Sequence, residues 1–526
     1  MSKYRKHKDG EEEDEVVLIQ NETLIKDHLP VWRKICFAIG GAPYQMTNAV
    51  INFFLSIFLL EVAQIRPSYV SIIVFGGKIW DAFTDPLCGF LVSKTNSRFG
   101  KFRPWILFSA PFSCTAYFFI WYVPDLSEEG KLGWYFCFYC LFQCLLSGLH
   151  VPYTSLTMVI SNNQKDRDSA TAYRMAAEAI GVLTAAIIQG EFVNRYRIAG
   201  ECSEEEKKVT PEQLDNQKWS YFVGSIVMIS FYMLCSMIVF FGSKERISVI
   251  SESNVSMIQG LKLSLSFRPY RLLSFSFLFF ALGIAIVQGN LALYCTHSLG
   301  LGDHFSTFII VLLISAIICI PIWQLILVRI GKKKSFAIGM ILFIPVLISQ
   351  LYIPGNVYVY YPILILAGVS VAVALLLPWS MLPDVLDEFM LKTGTRQDAI
   401  FYSFYVFYSK LAVGVGLGIS QLALDLGGYR TGECNQPKSV GLALRCLIVP
   451  GPVVFTLIAL LILWRFPIDE KRRKQIKEEL EKIQTERKYK YDSTAGSNLP
   501  PPDEYEKSTS SHQTVGENSK SLSRLD

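Results

Sequence analysis

Charge is scarce in this chain: Asp, Glu, Lys and Arg make up 18% of its 526 residues, against 51% hydrophobic residues. So small a polar fraction excludes an ordinary water-soluble fold of this length. The sequence also lacks a nucleophile elbow, a phosphate-cradling glycine loop, zinc-ligand spacing and a dinucleotide fingerprint. No enzyme is expected, and no cofactor is implied. An apolar leader is missing too. The first 30 residues contain the acidic run "EEEDE" at 11–15, so the first apolar run is expected to serve as its own targeting signal. The net charge of +5 matches the basic bias of cytosolic loops and calls for no nucleic-acid partner.

What the chain has in abundance is apolar runs long enough to cross a hydrocarbon core, which takes about 20 residues. Twelve are read, near 35–62, 68–93, 104–123, 132–158, 169–192, 219–242, 270–296, 305–328, 335–353, 357–381, 398–424 and 442–465. The expected fold is an all-α membrane protein of twelve transmembrane helices in two six-helix bundles. Its units are an N-terminal segment (1–34), a first bundle (35–242), a linker (243–269), a second bundle (270–465) and a partly disordered tail (466–526). The tail opens with "EKRRKQIKEELEKIQTERKYK", whose charges fall at helical spacing and predict a solvated or membrane-surface helix. Lys and Arg crowd the N-terminal segment and the even-numbered loops, which puts both termini in the cytosol.

The two bundles echo each other. "NSRFGKFRPW" after the second run resembles "LVRIGKKKSF" after the eighth, and "VPYTSLTMVI" in the fourth resembles "LPWSMLPDVL" in the tenth. Duplication of this kind places a binding site between two bundles near mid-membrane. Cys202 and Cys434 are each the only cysteine in a long outer loop, one per half, and a disulfide between them is expected on the oxidising face.

Inside the second run, Lys78, Asp81 and Asp85 share one helical face, with Thr84 adjoining. A lone charge at the bilayer centre costs about 2.5–3.5 kcal/mol on insertion scales. Two carboxylates against one local base leave a negative charge over, which a monovalent cation, Na⁺ or H⁺, would balance. Lys410 in "FYVFYSKLAVGVG" is a second intramembrane charge with no local partner, and reaches those acids only across a central cavity. Arg174 has Glu178 four residues on, so it is read either as half of a structural pair or as an anchor for an anionic substrate group. Asp384, Asp387 and Glu388 are read as a latch with basic loops. His150 is read as a hydrogen-bonded helix histidine, and Gln45, Asn48 and Asn52 as one polar face of the first run.

"WDAFTDPLCGF" followed by "RFGKFRPW" resembles the melibiose-carrier type of cation symporter within the major facilitator superfamily. "GGAPYQ", "HVPYTSLTM", "RDSATAYRM", "LLPWSMLPDV" and "FYSFYVFYSKL" resemble, more narrowly, its sodium-dependent lysophosphatidylcholine symporters. The resemblance implies a Na⁺ site at Asp81, Thr84 and Asp85 with Ser147 as a further hydroxyl, Lys410 coupling cation to substrate, and Gln45, His150, Thr154 and Arg174 at the substrate positions. Losing the sugar-binding acids while keeping the arginine argues for a phosphate-bearing cargo, with Lys78 or Arg174 as the phosphate's base. Two departures stand out: Lys78 where the branch has arginine, and Gln288 where it has glutamate. The reading is a monomeric plasma-membrane importer, present also in the endoplasmic reticulum, that moves a long-chain lysophospholipid with Na⁺ and takes its cargo sideways from membrane lipids. A sphingosine-1-phosphate exporter and a non-transporting receptor or scaffold are the alternatives.

Overall fold

The computed structural model describes residues 29–95, 97–161, 164–195, 211–245, 257–352, 355–394, 398–431, 433 and 435–494. Cys202 and Cys434 lie outside the described residues, as do most of the N-terminal segment and the end of the tail.

Helix stands at each of the twelve expected places, and nine helical spans among the described residues are long and apolar enough to cross a membrane. The first run is not one helix. It divides into α1 (Val31–Ile39), α2 (Ala42–Val50) and two π-helical turns, Ile51–Leu55 and Phe58–Val62. The break falls at Gly40 and Gly41, where a Cβ would lie 2.6 Å from Tyr153 and from Glu178 respectively. α3 (Pro67–Lys94), α4 (Arg103–Ile120), α5 (Glu128–Val159), α6 (Gln164–Arg195) and α7 (Pro211–Gly242) complete the first half.

The linker, expected only as a polar connection, contains a helix, α8 (Met257–Ser266). The second half comprises α9 (Arg268–His297), α10 (Phe305–Ile330), α11 (Lys332–Ser349), α12 (Val357–Thr393) and α13 (Asp398–Leu426). Its twelfth run is also split, into α14 (Lys438–Ile448) and α15 (Pro450–Trp464). Pro450 has no backbone N–H to continue the hydrogen-bond ladder.

The repeated motifs build the same joint twice. Gly100 and Gly331 take φ of +105° and +89°, a conformation that favours glycine. Each faces a glutamate from just beyond the last span of its own half: Glu245 accepts the N–H groups of Lys101, Phe102 and Arg103, and Glu470 packs on Gly331. A basic side chain then caps that last span, Arg103 on the carbonyl of Phe240 and Lys333 on those of Trp464 and Phe466.

The tail helix α16 (Glu470–Thr494) is not simply solvated. Ile476 is buried with Phe466 and Ile468 in the core of the second half and Leu480, one turn on, packs against it, so two apolar residues in a charged segment dock the helix. The end of the bundle that carries it is called the tail face here, and the opposite end the Glu61 face.

The halves meet at the Glu61 face. Ser71 donates to the carbonyl of Gly418 at 3.0 Å, Ser306 donates to that of Gly190 at 3.0 Å, and His297 Nε2 lies 3.1 Å from Glu61 Oε1. A single buried apolar cluster runs from the first half into the Glu61-side ends of α9, α10, α12 and α13. A second cluster belongs to the tail-side part of the second half alone. Near the tail face, Leu87 and Phe90 of α3 and Tyr402 of α13 are exposed.

Candidate functional site

The acids of α3 point toward the other half. Lys410 Nζ of α13 lies 2.8 Å from Asp81 Oδ1 and 2.6 Å from Asp85 Oδ2. α3 and α13 run antiparallel along this seam, with Ser71 at Gly418, Lys78 at Gly414, the acids at Lys410 and Phe83 at Phe407. Ser147 of α5 donates to Asp81 Oδ1 at 3.2 Å, and its hydroxyl is 3.3 Å from that of Thr84. The structure thus brings together Asp81, Thr84, Asp85, Ser147 and Lys410, from two helices of one half and one of the other.

The bonding is incomplete. Asp85 Oδ1 is buried and meets no donor among the described residues. Two carboxylates share one ammonium, and a carboxylate oxygen left unpaired in a low-dielectric site is unfavourable. A hard monovalent cation, which takes oxygen ligands, is the chemical complement of that arrangement.

Lys78 shares the helix face but not the cluster. It is buried against Gly414 and forms no ion pair or hydrogen bond among the described residues. The local neutralisation of Asp81 by Lys78 that the sequence allows is therefore taken over by Lys410. Arg174 Nε sits 3.3 Å from Glu178 Oε1, and Gln45 donates to Glu178 Oε2 at 3.5 Å. Arg174 and Glu178 are about one-fifth exposed, at 21% and 19%. Thr154 folds back on the carbonyl of Val151, and Gln288 is half-buried on α9.

His150 stacks on Tyr44, ring centroids 3.6 Å apart and planes 13° from parallel. Sequence reasoning passed over Tyr44, although its place directly before Gln45 was the available signal. On α12 and the tail, Asp384 pairs with Lys332 at 2.7 Å, and Glu388 with Lys392 at 3.4 Å and Arg472 at 3.8 Å. Asp384 thus pairs with the basic stretch after α10, whereas Glu388 pairs with its own helix and with α16.

Comparison with known proteins identifies the family. Residues 36–470 match the family described as MFS/sugar transport protein. A relative from Xenopus tropicalis named sodium-dependent lysophosphatidylcholine symporter 1 is 44% identical over 480 residues, covering 87% of this chain and 91% of the relative. Another from the same organism, named sphingosine-1-phosphate transporter MFSD2B, is 39% identical, covering 85% and 90%. Among solved structures, a bacterial homologue of the human lysosomal transporter Spinster, inward-facing and unoccupied, superposes with a TM-score of 0.59 at 11% identity, covering 83% of this chain and 97% of that one. That likeness extends to the fold.

Proposed function

Because this chain belongs to the MFS/sugar transport protein family, we propose that it is a sodium-coupled symporter that imports lysophosphatidylcholine with a long acyl chain by alternating access. Its helices are those of a multi-pass membrane protein. The observation that carries the coupling is the shared ion pair. Asp81 and Asp85 belong to one half, Lys410 to the other, and one oxygen of Asp85 lacks a donor among the described residues.

Na⁺ entering between the acids balances the surplus negative charge and weakens their hold on Lys410. Lys410 is then freed to re-pair, and the relative stability of the two arrangements of the halves shifts by the difference in ion binding between them. The chain lies in the plasma membrane with both termini in the cytosol, so the Glu61 face is outside and the halves are closed outward. The head group is zwitterionic, and the Arg174–Glu178 pair offers a guanidinium to its phosphate and a carboxylate to its choline. The acyl chain enters sideways from the bilayer, because leaving lipid for water forfeits about 0.8 kcal/mol per CH₂.

Uptake of labelled lysophosphatidylcholine, with Na⁺ replaced by choline or Li⁺, tests the proposal in wild type and Asp85→Asn. Uptake should follow Na⁺ in wild type and lose that dependence in the variant. Equal uptake under all conditions would remove the coupling. The 39% identity to a sphingosine-1-phosphate transporter supports a second reading, and efflux of labelled sphingosine-1-phosphate without lysophosphatidylcholine uptake would decide for it.

A further inference from the structure

Resting on that cation-coupled reading, we propose that Gln143 supplies a further oxygen to the cation site, is held in position by Tyr139, and helps set the preference for Na⁺ over Li⁺. The geometry of α3 and α5 carries the inference. The two helices run side by side in the same direction, and their contacts fix the register: Gly76 packs on Phe136, Gly77 on the ring of Tyr139, and Gly89 on Val151. Position 143, one turn beyond Tyr139, therefore falls level with Asp81, one turn beyond Gly77. Ser147, one turn further along α5, is already bonded to Asp81 Oδ1. Tyr139, Gln143 and Ser147 form one stripe on α5, facing the acids of α3.

Gln143 is wholly buried, and its amide is half satisfied. Nε2 donates to the Tyr139 hydroxyl at 2.9 Å, whereas Oε1 meets no donor among the described residues. A buried oxygen without a partner forgoes solvation for nothing. Two of them, the amide Oε1 of Gln143 and the carboxylate Oδ1 of Asp85, occur in the same helix cluster. Together with Asp81, Thr84 and Ser147 they form an all-oxygen donor set of the kind a hard cation takes. Tyr139 accepts the amide proton and so turns Oε1 away from itself; it is a positioning residue.

The test is thermal unfolding of the purified full-length protein, titrated with NaCl or LiCl against choline chloride at constant ionic strength, with no lipid substrate. Wild type should be stabilised by Na⁺, and Asp85→Asn should not respond. Gln143→Leu should raise the half-saturating Na⁺ concentration about tenfold, the weight of one charge-assisted contact. Gln143→Glu, which keeps an oxygen there and adds a negative charge, should not weaken Na⁺ binding on the same scale. The ratio of half-saturating Li⁺ to Na⁺ should change in Gln143→Leu, and in the same direction by a smaller factor in Tyr139→Phe. If Gln143→Leu does not fold, that ratio in Tyr139→Phe decides. Variants that titrate like wild type with both ions, while Asp85→Asn is silent, overturn the role of Gln143 and leave the proposed function standing. A wild type with no response to Na⁺ overturns both.

Discussion

Two clusters of buried charge are built on opposite principles. At the seam, Lys410 of one half holds Asp81 and Asp85 of the other. At the tail face, Asp384 pairs with Lys332 and Glu388 with Lys392 and Arg472, all within the second half and its own tail. Charges that cross the seam must exchange partners when the halves move. Charges within one half travel with it, so they can stabilise the fold without taking part in the cycle.

That contrast can be broken or sharpened by substitution. The largest effect is expected for Lys410→Ala, which leaves two carboxylates buried without their ammonium. Breaking a buried pair from one side costs about 3–5 kcal/mol, so uptake of labelled lysophosphatidylcholine per molecule at the cell surface should fall to background. Asp81→Asn comes next: Lys410 keeps Asp85 as a partner, so protein should reach the surface while Na⁺-dependent uptake is lost. Gly414→Leu follows. A Cβ there already lies 2.8 Å from Lys78 Cβ, and overpacking costs about 1–3 kcal/mol, which should appear as a lowered melting temperature and several-fold weaker uptake. Asp384→Asn should move melting by only a few degrees and leave the half-saturating Na⁺ concentration unchanged. Glu388→Gln should likewise leave the half-saturating Na⁺ concentration unchanged and move melting by less, because its two partners lie at 3.4 and 3.8 Å and Lys392 is 46% exposed. A shift of Na⁺ affinity in either tail-face variant would collapse the distinction.

How much of this was legible beforehand follows from the range of each interaction. The stripe of Lys78, Asp81 and Asp85 is a local feature of one helix, and helical periodicity displays it directly. The partner of those acids lies 329 residues from Asp81. Its lack of a local counter-charge announced that a distant one was needed, but the choice between Lys78 and Lys410 depended on packing. Gln143 carried no such signal. A single amide in an apolar helix reads as a contact between helices, and only the register of α3 against α5 places it beside Asp81. The breaks at Gly40–Gly41 and Pro450 were written in the residues, yet the apolar runs continue across them and masked both. The docking of α16 rests on Ile476 and Leu480 in a segment whose charges dominate any reading of its pattern.

The seam of α3 and α13 is thin because glycine makes it so. Gly414 sits against Lys78 and Gly418 against Phe75, with Ser71 bonded directly to the backbone at Gly418. Along this stretch a single layer of side chains, those of Lys78 and Phe75, separates the two backbones. A side chain added at either glycine would wedge the halves apart where they are most closely joined.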